Sequence, residues 1–243
     1  MREVLLVRAL GGDDRDAETL RSRGVQVVED PYLTVTTCQD DEAKHRAKAT
    51  LDEITERADW LAVTSRTALR ALTDLVGRES LASAVVEGTR RGLQCAAVVP
   101  SSAHVLRELG ASEVLVPPTP TAAGLLEQLP SRPAGRVVAP QGSQATTSWT
   151  RSLRAQGWQV EEKVLYVTSP VLHRPRTADA LARGEFAAVL FRSPTAVRAV
   201  MSFVGTMAEP TVAVGGGATT ADEATRGGLR RVVGSAGPTA ESV

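Results

Sequence analysis

The chain has 243 residues, enough for one large domain or two small ones. Lys plus Arg and Asp plus Glu each number 28, and the resulting zero formal charge argues against a protein held to nucleic acid by bulk basic charge. Apolar residues at 42% and charged residues at 23% argue against wholesale disorder, and no apolar run approaches the roughly 20 residues that span a bilayer.

In chain order, the first apolar run, Val4–Val7, is too short for a signal-peptide core and lacks a small-residue cleavage site after it. The expectation is a soluble, cytoplasmic protein with no membrane contact. That run reads as a strand, and the polar helix after it ends at Gly24, a C-terminal breaker. A second strand follows at Val25–Val28. Asp13-Asp14 and Asp40-Asp41-Glu42 read as solvated loop charge rather than a catalytic carboxylate pair. Trp60–Val63 has the length of a buried strand and stops at Ser65, placed as a helix N-cap. Gln94–Val98 leads through Pro100-Ser101-Ser102 into another helix, in which His104 reads as a surface or cap residue. Arg136–Ala139, a helix ending at Gly157, and Trp158–Glu161 repeat the opening pattern. Ala188–Phe191 stops at Ser193, with Pro194 where the first helical residue belongs, and Thr211–Val214 leads through small residues into a last helix. Repeated strand–helix alternation implies βαβ units and a mostly parallel sheet.

The chain also matches itself. At an offset of 128, Ser65, Thr67, Ala68, Arg70 and Ala71 coincide with Ser193, Thr195, Ala196, Arg198 and Ala199. At 118, Ala103, Gly110, Val114 and Pro120-Thr121-Ala122 coincide with Ala221, Gly228, Val232 and Pro238-Thr239-Ala240. At 133, Val4, Leu20-Arg21, Gly24 and Gln26-Val27 coincide with Val137, Leu153-Arg154, Gly157 and Gln159-Val160. A period this long excludes a solenoid and implies a duplicated half.

In open parallel sheets, ligands bind outside the carboxyl ends of the strands, where helix N-termini present free N–H groups. That rule selects Thr64-Ser65-Arg66-Thr67 with Pro100-Ser101-Ser102, and Arg192-Ser193-Pro194-Thr195 with Gly215-Gly216-Gly217-Ala218-Thr219-Thr220. Any one of these loops is explained by helix capping alone. The duplicated set, facing one cleft, points to an anion site built without metal or nucleotide. No Gly-x-Gly-x-x-Gly pattern, Lys-Ser or Lys-Thr phosphate loop, or Gly-x-Ser-x-Gly elbow is present. Cys38 and Cys95 cannot build a disulfide framework, and His45, His104 and His173 show no metal-ligand spacing. Of the 28 basic residues only Lys44, Lys48 and Lys163 are lysine. Coding bias is the plain cause of so many arginines; carboxylate recognition is the functional one.

The ordered set Val4-Leu-Leu-Val-Arg8, Pro31-Tyr-Leu, Asp59-Trp-Leu-Ala-Val-Thr-Ser65, Pro117-x-x-x-Thr121-Ala-x-Gly-Leu125, Val164-Leu-Tyr166-Val-Thr168, Phe191-Arg-Ser-Pro-Thr-Ala-Val197 and Ala213-Val-Gly with Thr219-Thr-Ala221 resembles uroporphyrinogen-III synthase. The resemblance implies two flavodoxin-like, doubly wound parallel α/β domains joined by a two-stranded linker. The first would be residues 1–34 plus 168–243, the second 37–165, with linkers near 34–37 and 165–168. It implies a cofactor-free cyclisation in tetrapyrrole (heme, siroheme, cobalamin) biosynthesis. Hydroxymethylbilane loses its terminal hydroxyl as water, ring D inverts through a spiro intermediate, and uroporphyrinogen III closes. It implies a monomer supplied by hydroxymethylbilane synthase. Tyr166 would be the acid, or hydrogen-bond donor, to the leaving hydroxyl. Thr64, Ser65, Ser101, Ser102, Ser193, Pro194, Thr195, Gly217, Thr219 and Thr220 would hold the carboxylate arms, with Arg8 and Arg66 nearby.

Gln141 and Arg192 stand where the family usually has Arg and Thr, and Val98-Val99-Pro100 and Gly216-Gly217-Ala218 replace its Val-Gly-Pro. The second copy ends at Val243, short of the counterpart of Leu129, as a fragment of a longer protein would. A non-catalytic tetrapyrrole-binding paralogue or regulator of the same fold is the alternative that these departures favour. A two-lobed periplasmic-type binding protein is the third reading, opposed by the missing signal peptide.

Overall fold

The computed structural model describes residues 3–10, 15–130, 135–145 and 147–235. The chain is an α/β protein whose strands pair mostly in parallel. It divides into two compact units, Met1–Val35 with Thr168–Val243, and Thr36–Val167.

The first unit opens with β1 (Val4–Ala9), whose Leu5 and Val7 enter one apolar cluster and whose Leu6 enters another. Burial on both faces is why it reads as an uninterrupted apolar run. α1 (Arg15–Ser22) follows, and the chain turns at Gly24, as expected. β2 (Val27–Thr37) is far longer than the expected Val25–Val28. Pro31 conceals the continuation, because proline removes a ladder donor. The ladder with β1 steps from Arg8 opposite Pro31 to Ala9 opposite Leu33, so Tyr32 is absorbed in a bulge and the strand resumes.

The second unit begins with a correction. Asp40-Asp41-Glu42 is not loop charge but the start of α2 (Asp41–Glu56): the Asp40 carboxylate accepts from the Ala43 amide at 2.7 Å, and Asp41 and Glu42 occupy the first turn, where the helix dipole favours anions. Then come β3 (Trp60–Val63), α3 (Arg66–Val76), α4 (Arg78–Arg91), β4 (Gln94–Ala97), α5 (Pro100–Glu108), β5 (Val114–Leu115), α6 (Ala122–Gln128), β6 (Arg136–Gly142), α7 (Ser148–Ala155) and β7 (Gln159–Pro170). The strand order is β7-β6-β3-β4-β5. Alternate residues of β3 serve opposite faces. Leu61 and Val63 join Ile54, Leu69, Leu72 and Leu81 of α2, α3 and α4, whereas Trp60 and Ala62 join Leu125 of α6 and Trp149 and Leu153 of α7.

The chain re-enters the first unit through Thr168–Pro170 at the end of β7, which also exceeds the expected Trp158–Glu161. α8 (Ala178–Ala182), β8 (Ala188–Phe191), α9 (Pro194–Val204), β9 (Val212–Gly215), α10 (Ala218–Arg226) and β10 (Val232–Gly234) complete it, in the strand order β2-β1-β8-β9-β10. The expectations for Asp13-Asp14, for Pro238-Thr239-Ala240 and for a second copy cut short at Val243 fall outside the described residues.

A buried polar knot ties the returning chain to β2. Asp30 is 4% exposed, and its Oδ2 accepts from the Thr177 amide at 2.9 Å and from Thr177 Oγ1 at 2.7 Å. The Thr177 hydroxyl has spent its one proton on Asp30, so the Tyr32 phenol, 3.0 Å away, donates to it. Burial is the main reason the Tyr32 phenol is pushed from 10.0 up to about 12. Thr177→Val removes one charge-assisted bond and strands the phenol. The expected loss is about 3 kcal/mol in chemical denaturation, against about 1 kcal/mol for Tyr32→Phe.

Burial likewise pushes the Cys95 thiol on β4 from 9.0 up to about 12. Both groups are neutral in the native protein and ionise earlier when unfolded. Their contribution to stability is therefore complete below about pH 9 and is lost as pH rises from 9 through 12. Denaturation midpoints should fall across that window. At pH 8 a thiol reagent should reach Cys95 only after unfolding.

Candidate functional site

In the second unit, two helix starts follow neighbouring parallel strands. β3 gives way through Thr64 to Ser65, whose extended backbone (φ −152°, ψ 136°) and Oγ, 3.1 Å from the Thr67 amide, cap α3. Arg66 lies exposed in the first turn. α5 starts differently from expectation. Val99 is its N-cap and Pro100 its first residue, so Ser101 and Ser102 lie inside the first turn rather than in a loop. Ser102 is fully buried, and its Oγ has no hydrogen-bond partner. His104 is exposed and pairs with Glu108 at 3.1 Å, a surface role.

Tyr166, on β7, reaches the first of these starts. Its phenol donates to Ser65 Oγ at 3.5 Å, the outer limit of a hydrogen bond. Its carbonyl accepts from the Ser143 amide at 2.9 Å. The ring lies against Gly142, which is opposite it in the β6–β7 ladder. Sequence reading found Ser65 and Tyr166 separately and missed Gly142. Gln141, beside it, is 3% exposed with a partnerless Oε1.

The first unit holds the matching pair. Ser193 caps α9, its Oγ accepting from the Ala196 amide at 3.2 Å, and Pro194 is the first helical residue, as expected. Thr195 Oγ1 accepts from Arg198 at 3.2 Å. α10 begins on Gly217, whose φ of 118° suits glycine and which supplies no side-chain cap. Thr219 is exposed in the first turn and Thr220 is buried at 2% exposure. Two arginines at the strand ends are already neutralised: Arg8 pairs with Glu29 at 3.3 Å, and Arg192 with Asp16 at 2.8 Å. A cavity of about 530 Å³ in this unit is lined by Arg8, Arg21, Glu29 and Arg176, not by the helix starts.

The chemistry available is therefore of one kind. First-turn amides and hydroxyls lie at the carboxyl ends of the strands, where such groups can hold anions, and the Tyr166 phenol, a weak acid, touches one of these starts at Ser65. Among the described residues, no group of three or more His, Cys, Asp or Glu could hold a metal ion.

Residues 14–243 match a family model described as uroporphyrinogen-III synthase HemD. No curated protein sequence matches. The fold resembles a uroporphyrinogen-III synthetase of Helicobacter pylori at 16% identity and a TM-score of 0.63, covering 100% of this chain and 96% of that one. It also resembles a mutant uroporphyrinogen III synthase of the extremely thermophilic bacterium Thermus thermophilus at 18% identity and a TM-score of 0.62, covering 96% and 93%. The family match takes in nearly the whole chain, and both α3 and α9 start where that family's motifs were read; the chain belongs to the uroporphyrinogen-III synthase family.

Proposed function

We propose that the chain closes hydroxymethylbilane to uroporphyrinogen III with inversion of ring D and loss of one water. The observation that carries this beyond family membership is the Tyr166 phenol set against the Ser65 cap at the end of β3. Breaking the carbon–oxygen bond of the terminal hydroxymethyl group requires a proton on the departing oxygen, and Tyr166 supplies it. The resulting electron-deficient azafulvene is attacked by the ring D pyrrole carbon to give the spiro intermediate. Reopening and reclosure then release a proton from the pyrrole carbon, which restores the phenol. Carboxylate arms are held in the second unit by Ser65 and Ser101 with Thr64 and Arg66; Ser102, expected among them, is fully buried and out of reach of a ligand. The corresponding donors of the first unit are Ser193, Thr195, Gly217 and Thr219, at the helix starts with Pro194, and Arg8, whereas Thr220 is buried and contributes packing. Dispersed neutral donors suit a polyanion that must also be released, because no single contact dominates its affinity.

We also read the two units as copies of one flavodoxin-like half. What supports this is that β2-β1-β8-β9-β10 corresponds to β7-β6-β3-β4-β5, and that β1 and β6 shift register at positions 133 residues apart, Arg8/Ala9 and Gln141/Gly142. Because hydroxymethylbilane closes unaided to isomer I, the protein is proposed to act as a cytoplasmic monomer beside the hydroxymethylbilane synthase that supplies it.

Freshly made hydroxymethylbilane given to the protein should yield isomer III; isomer I alone would remove the proposal. Tyr166→Phe should lower kcat about 10²-fold with KM little changed, since the donor is used mainly as the bond breaks. A raised KM at unchanged kcat would make Tyr166 a binding residue. Ser65→Ala and Ser193→Ala should each raise KM by about 5- to 30-fold, the worth of one charge-assisted donor.

A further inference from the structure

We propose that Gly142 is a positioning residue for Tyr166, keeping its phenol at the Ser65 cap; the inference rests on the reading of Tyr166 as the acid. Two features of the β6–β7 ladder carry it. The first is register. Gln141 is opposite Val164, but Gly142 is opposite Tyr166, so Leu165 is an extra residue at this step. An unbroken ladder would set Leu165 against Gly142 and turn Tyr166 to the other face of the sheet. With the bulge, Leu165 and Tyr166 both pack against the apolar cluster that also contains Leu61, Val63 and Leu69.

The second feature is space. A Cβ at position 142 would lie 2.5 Å from Tyr166 Cζ, 2.9 Å from its phenol oxygen, and closer still to Cε2. These are atoms of a rigid ring, so the ring as a whole would have to withdraw, by on the order of 1 Å to restore an ordinary carbon–carbon contact. The residue's backbone cannot easily follow, because its carbonyl is held by the Ser143 amide at 2.9 Å. The phenol is already at 3.5 Å from Ser65 Oγ, so withdrawal breaks that contact. Gly142 does not need glycine for its own backbone, since its φ lies outside the left-handed range in which other residues are strained. The glycine is there for the neighbouring ring.

Gly142→Ala should therefore lower kcat by about 10²-fold, as much as Tyr166→Phe, with KM within about threefold of the wild type, because misplacing a reacting group by about 1 Å costs that much. In a Tyr166→Phe background the same substitution should cost no more than about threefold further, since the phenol it displaces is already gone. If Tyr166→Phe is slow and Gly142→Ala turns over normally, the positioning role is wrong and the acid stands. If the two losses multiply, Gly142 acts by another route and the proposal falls. If Tyr166→Phe itself keeps wild-type kcat, the reading of Tyr166 fails first. A measurement without substitution covers a variant that does not fold. The chain has two tyrosines, so tyrosine-labelled protein gives two resolvable ring systems. The Tyr166 ring should show an Overhauser contact to the Gly142 α-protons, shifted upfield by the ring. Absence of that contact overturns the proposal.

Discussion

The Asp30 carboxylate, taken out of water and met by two donors from Thr177, is the constraint on which the first unit depends. The residues joined lie 147 positions apart, so a long loop must be closed before this contact can form. β1 does the larger share of the closing, pairing with β2 before the excursion and with β8 after it. The hydrogen-bonded carboxylate adds direction to that apolar packing. Shifting the returning segment by one residue would leave a charge buried without donors, which costs several kcal/mol. Tyr32 extends the knot into the apolar core, with its ring edge-on to Phe203 at 6.1 Å.

The helix starts depend on that order. A strand end delivers its chain to an N-cap, and the cap leaves first-turn amides without internal partners. Ser65 and Ser193 each accept one such amide and keep their own hydroxyl proton for another acceptor. A capping hydroxyl is thus still able to donate to an anion. The arginines nearest the strand ends add less charge than their number suggests, because Glu29 and Asp16 hold Arg8 and Arg192. A neutral protein can in this way offer many donors to a polycarboxylate without one strong electrostatic trap.

What was legible in the chain follows the range of the interactions involved. β3 and β8 were read residue for residue because both faces are buried and a serine cap ends each run. α2 carried its signal too, an Asp40 cap followed by Ala43, Ala47, Thr50 and Ile54 at helical spacing, but the acidic start reads equally as a loop. β2 and β7 were cut short because their later halves are half-exposed and one of them contains Pro31.

Composition, strand–helix alternation, the Ser65 and Ser193 caps and the order of the family's motifs were determined by the sequence alone. Each rests on residues within a few positions of one another, where backbone sterics and local hydrogen bonds decide. The meeting of Asp30 with Thr177, the complete burial of Ser102 and the bulge that sets Tyr166 on Gly142 were decided only in the tertiary structure. Register and burial depend on partners distant in the chain. A one-residue slip in either strand would leave the local pattern unchanged while turning the phenol to the opposite face.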